Sequence, residues 1–408
     1  MSRFKKWLGK EDVPETEEKA QPKGIAPKLE KKSGLKSNVI KQIETDYYRY
    51  LISKSLLLPE EVEKDTEIPD NRILLDIELA PALARQAEKQ ASKDLFNALQ
   101  AQLFQDVEAR VENKLANLND DLWKRFTIDQ NLMDAVNILM TKAASISRIK
   151  PLILKDASLI RNFVNVLNRL GMGKKNSDKP LEPKDAELCL SSLGVEKLRL
   201  LMPNLIMHES MKESGSKFNQ PSRKVWLHLQ ITATAARALA LESGAADPDE
   251  AYILALFHEM GATFLLHMVD DSFQESRREI SKQAMENGAS QVSHQLAEIK
   301  SAIPVLERII PSKAVKLSAE IANKYELNFL RLGAVLGEFD QSMSYDELSP
   351  IAKIISQARC YSIFKQMFKE DLIDKRQAAA LLNYYQLDGA KVKLLNSQKY
   401  LKIPKLEA

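Results

Sequence analysis

Two neighbouring stretches decide the fold class of this chain: VWLHLQITATAARALA at residues 225–240 and DEAYILALFHEMGATFLL at residues 249–266. Neither stretch alternates polar with apolar residues. No other part of the chain sustains a period of two between turn signals, as the strands of an antiparallel sheet would. The sequence therefore predicts an all-α protein built around a compact multi-helix body.

The start of the second stretch carries a sharp helix signal. Asp247 suits the N-cap, Pro248 suits the first helical position, and Glu250 can reach back to complete a capping box. The sequence predicts a helix that runs from Ala251 to about Met260 and stops at Gly261.

The composition is that of an ordinary globular protein. Of 408 residues, 44% are hydrophobic and 28% are charged, which excludes a wholly disordered chain and suggests two or three folding units. The net charge of +3 gives no global argument for a nucleic-acid partner, and none is expected. The two cysteines, Cys189 and Cys360, are too few for a disulfide scaffold or a paired zinc site. We expect two free, buried thiols in a reducing cytoplasm.

Changes in composition divide the chain into four parts. The first stretch is rich in Lys, Glu, Pro and Gly and has few large apolar residues, which predicts disorder. The expected parts are a disordered basic tail at 1–40, a helical N-terminal region at 41–121, a compact helical domain at 122–370, and a C-terminal helix with a basic tail at 371–408.

The N-terminal region contains one long amphipathic pattern. Apolar residues recur there every four positions, at Leu95, Leu99, Leu103, Val107, Val111 and Leu115. The pattern predicts a helix from about Asp70 to Leu118 with a break near Pro81 and one apolar face. That face needs a partner helix, which we expect in the same chain. A homodimer contact is the alternative.

No stretch predicts membrane insertion. The longest candidate apolar run, Ala251–Phe257, ends at His258 and is far shorter than the ~18 residues of a membrane span. The first ten residues, MSRFKKWLGK, lack the apolar core of a secretory signal. We therefore expect a cytoplasmic protein without an integral membrane segment.

Three residues could share one chemical site. His228 lies in the first quoted stretch, and His258 ends the next predicted helix with Glu259 beside it. Two imidazoles and a carboxylate in one pocket can bind a divalent metal ion, which would activate a water molecule. The alternative is that both histidines are hydrogen-bonded core residues. The residue types alone leave both interpretations open.

Other catalytic patterns are missing. The chain has no GxSxG nucleophile elbow, and the glycines at 171–173 lack the spacing of a phosphate-binding loop. We expect the acidic pairs Glu44/Asp46 and Asp270/Asp271 to be solvated surface residues.

From Leu122 to about Phe368 the chain resembles an HDOD domain, the bacterial signalling relative of the HD phosphohydrolases. The matching stretches follow the family's order: ILKDASLIRNFVNVLNR at 153–169, DAELCLSSLGVEKLRLL at 185–201, and the two stretches quoted first. SHQLAEI around His294 is similar to a later helix of the family. Ala157 departs from the pattern, since the family has Pro at that position after Asp156.

The resemblance implies a degenerate HD site. A catalytic HD site uses a His, then a His-Asp pair, then a late Asp. The resemblance assigns the two histidines to His228 and His258, places Glu259 where the Asp belongs, and aligns Arg359 with the late Asp. A fixed positive charge at that position would repel a divalent cation. We therefore expect neither a metal nor another cofactor.

The resemblance also implies a role in signal transduction rather than catalysis. We expect a regulatory protein that binds a protein partner in a bacterial signalling pathway, with His228, His258 and Glu259 lining a pocket for a small-molecule ligand. The alternative is an enzyme, a metal-dependent HD-type phosphohydrolase that acts on a nucleotide or a cyclic dinucleotide.

Overall fold

A computed structural model of the chain describes residues 37–57, 76–118, 130–155, 157–169, 180–212, 219–327, 330–341, 343–400 and 403–404. Every regular element in these ranges is a helix, and they contain no strand, which confirms the predicted all-α class. Most of the predicted basic tail, residues 1–36, lies outside the described residues, as do Asp156 and the glycines at 171–173.

The helices are numbered here in chain order. They are α1 (Asn38–Ile52), α2 (Asp76–Ala116), α3 (Gln130–Leu139), α4 (Ile146–Ile153), α5 (Ala157–Arg169), α6 (Ala186–Lys212), α7 (Asn219–Ser243), α8 (Pro248–Phe257), α9 (Met260–Glu286), α10 (Ser290–Glu298), α11 (Ile303–Lys324), α12 (Leu332–Asp340), α13 (Pro350–Lys369), α14 (Lys375–Tyr384) and α15 (Gly389–Asn396). Three short 3₁₀ helices lie at Lys54–Leu57, Pro183–Asp185 and Tyr345–Glu347.

The core is centred on α7. This helix packs against α8 and α13, and α9 packs against α11 and α2. The side chains of α8 from Ala251 to Phe257 are all buried, as the apolar composition of that stretch requires. The stretches that decide the fold class therefore form the centre of one continuous apolar core.

The apolar stripe of α2 packs within the chain. Leu99, Leu103, Val107 and Val111 are buried, and the helix contacts α9, α10 and α11. The expectation of a partner helix in the same chain is confirmed. The predicted break near Pro81 is wrong, because α2 continues through it. Pro81 lies close to the helix start, so its missing N–H removes a single early hydrogen bond.

Residues in the family-like stretches fix the backbone by a glycine kink and by hydrogen bonds from side chains to backbone groups. In α6, Gly194 has φ 72° and ψ 166°, a kink that only glycine adopts easily. Beyond the kink, Nε of Arg199 donates to the carbonyl of Leu139 at 3.0 Å and holds α6 against α3. The side chain of Asn168 bonds both the N–H and the carbonyl of Leu181. These residues position the helices and lie outside the candidate site.

The junction between α8 and α9 differs from the prediction. Asp247 caps α8 by accepting from the N–H of Glu250 at 2.7 Å, as predicted. The rest of the capping box is not formed, because the carboxylate of Glu250 instead pairs with Arg331. The helix also ends earlier than expected, at Phe257, and Gly261 lies inside the next helix rather than stopping one.

Gly261 is required by a close helix crossing. A Cβ atom built there would lie 2.1 Å from the carbonyl oxygen of Ala314 in α11. The N–H of Gly261 donates to Oγ of Ser318 at 2.8 Å. The glycine therefore permits backbone contact between α9 and α11, just after the turn that carries His258 and Glu259.

Three smaller expectations need correction. The C-terminal part contains two helices, α14 and α15, where one was expected. Both cysteines are free as expected, but Cys189 is only half-buried, in contrast to the buried Cys360. An 18-residue window within Pro248–Glu286 has a mean hydropathy of 1.4, enough by length and composition to cross a membrane, and 94% of it is buried inside the protein. The unbroken apolar run ends at His258, and a search for unbroken runs does not detect this window, because its hydropathy is an average over 18 residues.

Candidate functional site: a buried histidine–carboxylate cluster

His228, His258 and Glu259, hereafter the cluster, meet in the interior of the helical body. His228 comes from α7, and the other two residues form the turn between α8 and α9. One possible ligand atom from each residue lies within 4.8 Å of the others. The residues are 0%, 4% and 2% exposed, respectively. The sequence-based expectation that they share one site therefore agrees with the geometry.

His258 is fixed by its own helix. Its Nδ1 donates to the carbonyl of Ala255 at 2.5 Å, because a carbonyl oxygen can only accept. The Nε2 atom therefore carries the lone pair and faces Oε1 of Glu259 at 3.6 Å. Burial lowers the pKa of His258 to about 4, against an opposing effect of Glu259, so the ring is neutral near pH 7.

His228 is held from the opposite side by hydroxyl groups. Its Nδ1 lies 2.9 Å from the hydroxyl of Tyr47 and 2.8 Å from Oγ of Ser362. The amide of Gln366 donates to both of these oxygens, which leaves their protons to be donated in turn. We assign Nδ1 as the acceptor and Nε2 as the protonated nitrogen, which lies 3.5 Å from Oε1 of Glu259.

Glu259 receives donors on one oxygen. The hydroxyl of Tyr48 donates to its Oε1 at 3.2 Å, and Nε of Arg359 donates to the same atom at 3.3 Å. Burial by itself raises the pKa of Glu259, but His228, His258 and Arg359 together hold it well below its usual value. The carboxylate is therefore ionised throughout the physiological range.

Arg359 links the cluster to the N-terminal region. Its Nη1 lies 3.4 Å from a carboxylate oxygen of Glu44 in α1, and its Nη2 donates to the hydroxyl of Tyr48 at 3.1 Å. Tyr385 also donates to Glu44. Burial opposes the charge of Arg359, but Tyr48, Glu44 and Glu259 raise its pKa. The guanidinium stays charged.

Several of these residues were not identified from the sequence. Glu44 was expected to be solvated, yet its side chain is 13% exposed and paired with Arg359, so that expectation is wrong. Tyr47 and Tyr48 belong to no catalytic or binding motif that the sequence shows. Ser362 and Gln366 carry no motif, although both lie on the same α13 face as Arg359, at spacings of three and four residues.

The donor set does not fit a divalent metal ion as arranged. Two imidazoles and a carboxylate are ligands that zinc and similar ions accept. However, the assigned proton on Nε2 of His228 occupies one donor position, and Nε of Arg359 lies 3.3 Å from Oε1 of Glu259, the oxygen that both histidines face. The other oxygen, Oε2, has no hydrogen-bond partner among the described residues. A fixed positive charge at that distance opposes a second cation.

Comparison with known proteins agrees with the resemblance. The family model for the HDOD domain matches residues 127–301, a range that contains all three cluster residues. No curated protein and no solved structure matches this chain. The match lies inside the predicted range 122–370, whereas α1, α2 and α13 lie outside the match. The helical architecture and the family match together show that this chain carries an HDOD domain, and it is an HDOD domain-containing protein.

Proposed function

We propose that the protein is a non-catalytic HDOD-type regulator that acts in the cytoplasm by binding another protein. The observation that carries this proposal is the contact between Nε of Arg359 and Oε1 of Glu259 at 3.3 Å. In this arrangement the positive charge that a hydrolytic site would take from a metal ion is supplied by the chain itself.

The burial of the cluster supports the same proposal. All three residues are buried, and the aromatic rings of Tyr47 and Tyr48 from α1 close the side that faces the N-terminal region. A substrate phosphate would have to displace α1 and break the Glu44–Arg359 pair to reach Glu259. The side chains around the cluster hold it in one conformation, although Nε2 of both histidines and Oε2 of Glu259 have no hydrogen-bond partner among the described residues.

The alternative is an HD-type phosphohydrolase that acts on a nucleotide or a cyclic dinucleotide. One observation favours it: His258 presents Nε2 inward while its Nδ1 binds a backbone carbonyl, which is how metal-binding histidines are held. The small-ligand role expected for the cluster meets the same obstacle of burial as a phosphate substrate does.

The two functions are distinguished by equilibrating the full-length protein with Mn²⁺, Ni²⁺ or Zn²⁺ and measuring bound metal after gel filtration. We expect no ion that depends on the cluster, so wild type and His258→Asn should retain equal amounts. The exposed His294 provides a matched control in His294→Asn. One ion per chain that is lost in His258→Asn but kept in His294→Asn, together with hydrolysis of a cyclic dinucleotide, would establish the enzyme.

A further inference from the structure

A second possible site lies on the surface between α7 and the C-terminal segment. It is an open cleft of about 610 Å³, within the usual size range of small-molecule sites. Side chains from α7 form one wall, and the other is formed by Leu394, Ser397, Gln398, Lys399 and Pro404. Thr234 on its floor lies six residues after His228, about 9 Å further along the helix axis, so the cleft is separate from the cluster.

Arg237 gives the cleft a fixed anion-binding group. Its Nε donates to a carboxylate oxygen of Asp249 in α8 at 3.1 Å, and the Arg237 and Asp249 side chains are 18% and 7% exposed. Neither Nη nitrogen has a hydrogen-bond partner within the part of the chain that the structure describes. An arginine anchored through Nε keeps its terminal nitrogens oriented for a carboxylate or a phosphate.

Thr234 adds an unmet hydrogen-bonding group. It lies one helical turn before Arg237, lines the same cleft and is 6% exposed. Its hydroxyl has no hydrogen-bond partner among the residues described. Buried hydroxyls are normally paired, so an unpaired one beside an open cleft indicates a missing partner.

The remaining lining residues define the kind of ligand. Lys399 and Glu242 line the cleft with Arg237, so its lining carries two positive charges and one negative, and Asp249 balances the remaining charge through its pair with Arg237. The attraction for an anion therefore comes from the terminal nitrogens of Arg237 as hydrogen-bond donors. Leu241 is 57% exposed and, with Leu394, gives the cleft an apolar side. We propose that this cleft binds a small organic anion, with one carboxylate or phosphate group on Arg237 and Thr234 and an apolar body against the two leucines.

The test uses the full-length protein and three small probes of similar shape. Benzoate and phenyl phosphate carry the two candidate head groups, and benzamide is a neutral counterpart of benzoate. Binding is followed by protein-observed NMR shifts or by calorimetry. We expect at least one anion to bind saturably, about tenfold or more tighter than benzamide, because charge-assisted hydrogen bonds contribute that much. Which anion binds decides between carboxylate and phosphate.

Variants locate the site. Arg237→Gln is expected to weaken anion binding about tenfold or more, and Thr234→Val severalfold. Arg278→Gln removes one positive charge from an exposed position on α9 outside the cleft and should leave binding unchanged. Should Arg237→Gln fail to fold because Asp249 loses its partner, Thr234→Val and Lys399→Gln still test the cleft.

Three results would overturn the proposal. The first is that neither anion saturates the protein. The second is that benzamide binds as tightly as benzoate. The third is that Arg278→Gln weakens binding as much as the cleft variants do, which would mean that the anions respond to net charge alone. None of these results bears on the proposed non-catalytic role of the cluster, which rests on separate residues.

Discussion

The hydroxyl of Tyr47 lies 2.9 Å from Nδ1 of His228, although 181 residues separate the two in sequence. Tyr47 belongs to α1, outside the range that matches the HDOD family, and His228 lies inside it. The contact links a histidine inside the family match to a helix that lies outside it.

Tyr47→Phe tests this contact. The substitution removes the hydroxyl from a fully buried ring and leaves the packing in place. We expect the free energy of unfolding to fall by about 1–3 kcal/mol, because Gln366 and His228 each lose a partner. Urea denaturation measures the change. Tyr50→Phe on the same helix is the control, since the hydroxyl of Tyr50 makes no hydrogen bond within the described ranges, and it should cost less than about 0.5 kcal/mol. Equal losses in both variants would show that the hydroxyl of Tyr47 contributes nothing specific.

Arg359→Glu should convert the cluster into a metal site. A glutamate oxygen is as many bonds from Cα as Nε of arginine, so it can occupy the position now 3.3 Å from Oε1 of Glu259. The change replaces a repelling cation with a second anionic ligand beside Glu259 and the two histidines. Without metal, three neighbouring carboxylates should lower the melting temperature, and Zn²⁺ or Mn²⁺ should restore it by binding the folded state.

Arg359→Gln is the matched control for this experiment, because it removes the charge and keeps the side-chain shape. It should be destabilised without gaining a metal-dependent melting temperature. A wild-type protein that is stabilised by metal to the same extent as Arg359→Glu would show that Arg359 does not exclude cations.

The stability of the protein should fall on mild acidification through His258. Burial lowers the pKa of His258 to about 4, whereas in the unfolded chain it is about 6.5. Between these values the unfolded state binds the additional proton, so stability rises with pH across this window and is fully present above about pH 6.5. Acidification from pH 7 to 4 should therefore remove roughly 3 kcal/mol through this residue.

Urea midpoints at pH 7, 5.5 and 4.5 measure this dependence. His258→Asn should flatten the curve in that window, while His294→Asn at an exposed position should retain the wild-type slope. Glu259 affects stability at lower pH than His258 does. Because its pKa is held below the usual value, its contribution to stability is lost only as the pH falls below about 4.5. Parallel curves for wild type and His258→Asn would contradict the buried neutral histidine.

Gly261→Ala should be strongly destabilising. The added Cβ would lie 2.1 Å from the carbonyl oxygen of Ala314 and 2.8 Å from the amide nitrogen of Ser318, both of which are backbone atoms. Separating α9 from α11 should cost about 3 kcal/mol or more in the free energy of unfolding. Gly337→Ala is the control, since a Cβ there meets nothing within 4 Å inside α12, and it should be neutral or slightly stabilising. A mild effect at Gly261 would mean that the helices separate at little cost.

The local features of the fold were accessible from sequence, because they depend on neighbouring residues. The all-α class and the intrachain partner of the α2 stripe follow from helical periodicity, and the Asp247 cap follows from side-chain chemistry. Helix ends were less predictable. Gly261 suggested a stop, but its role is a tertiary contact with α11, which no local pattern encodes.

The sequence identified residues of the candidate site only within the stretch that resembles the family. The resemblance brought His228, His258, Glu259 and Arg359 together correctly. It could not supply Glu44, Tyr47 and Tyr48, because they come from a helix outside the stretch that resembles the family. Nothing in the sequence around Glu44 indicates that its carboxylate will be buried and paired with Arg359, which lies 315 residues away.

The long-range contacts around the cluster have a consequence for synthesis on the ribosome. The hydrogen bond from Tyr385 to Glu44 spans 341 residues, and the ion pair from Arg359 to Glu44 spans 315. A nascent chain can complete the family-matching range at residue 301 while Glu259 still lacks its guanidinium. At a synthesis rate of about 5–20 residues per second, several seconds pass between the addition of residue 301 and that of Arg359, and during this time Glu259 lacks its positive partner. The cluster can therefore reach its final arrangement only after residue 385 has been synthesised.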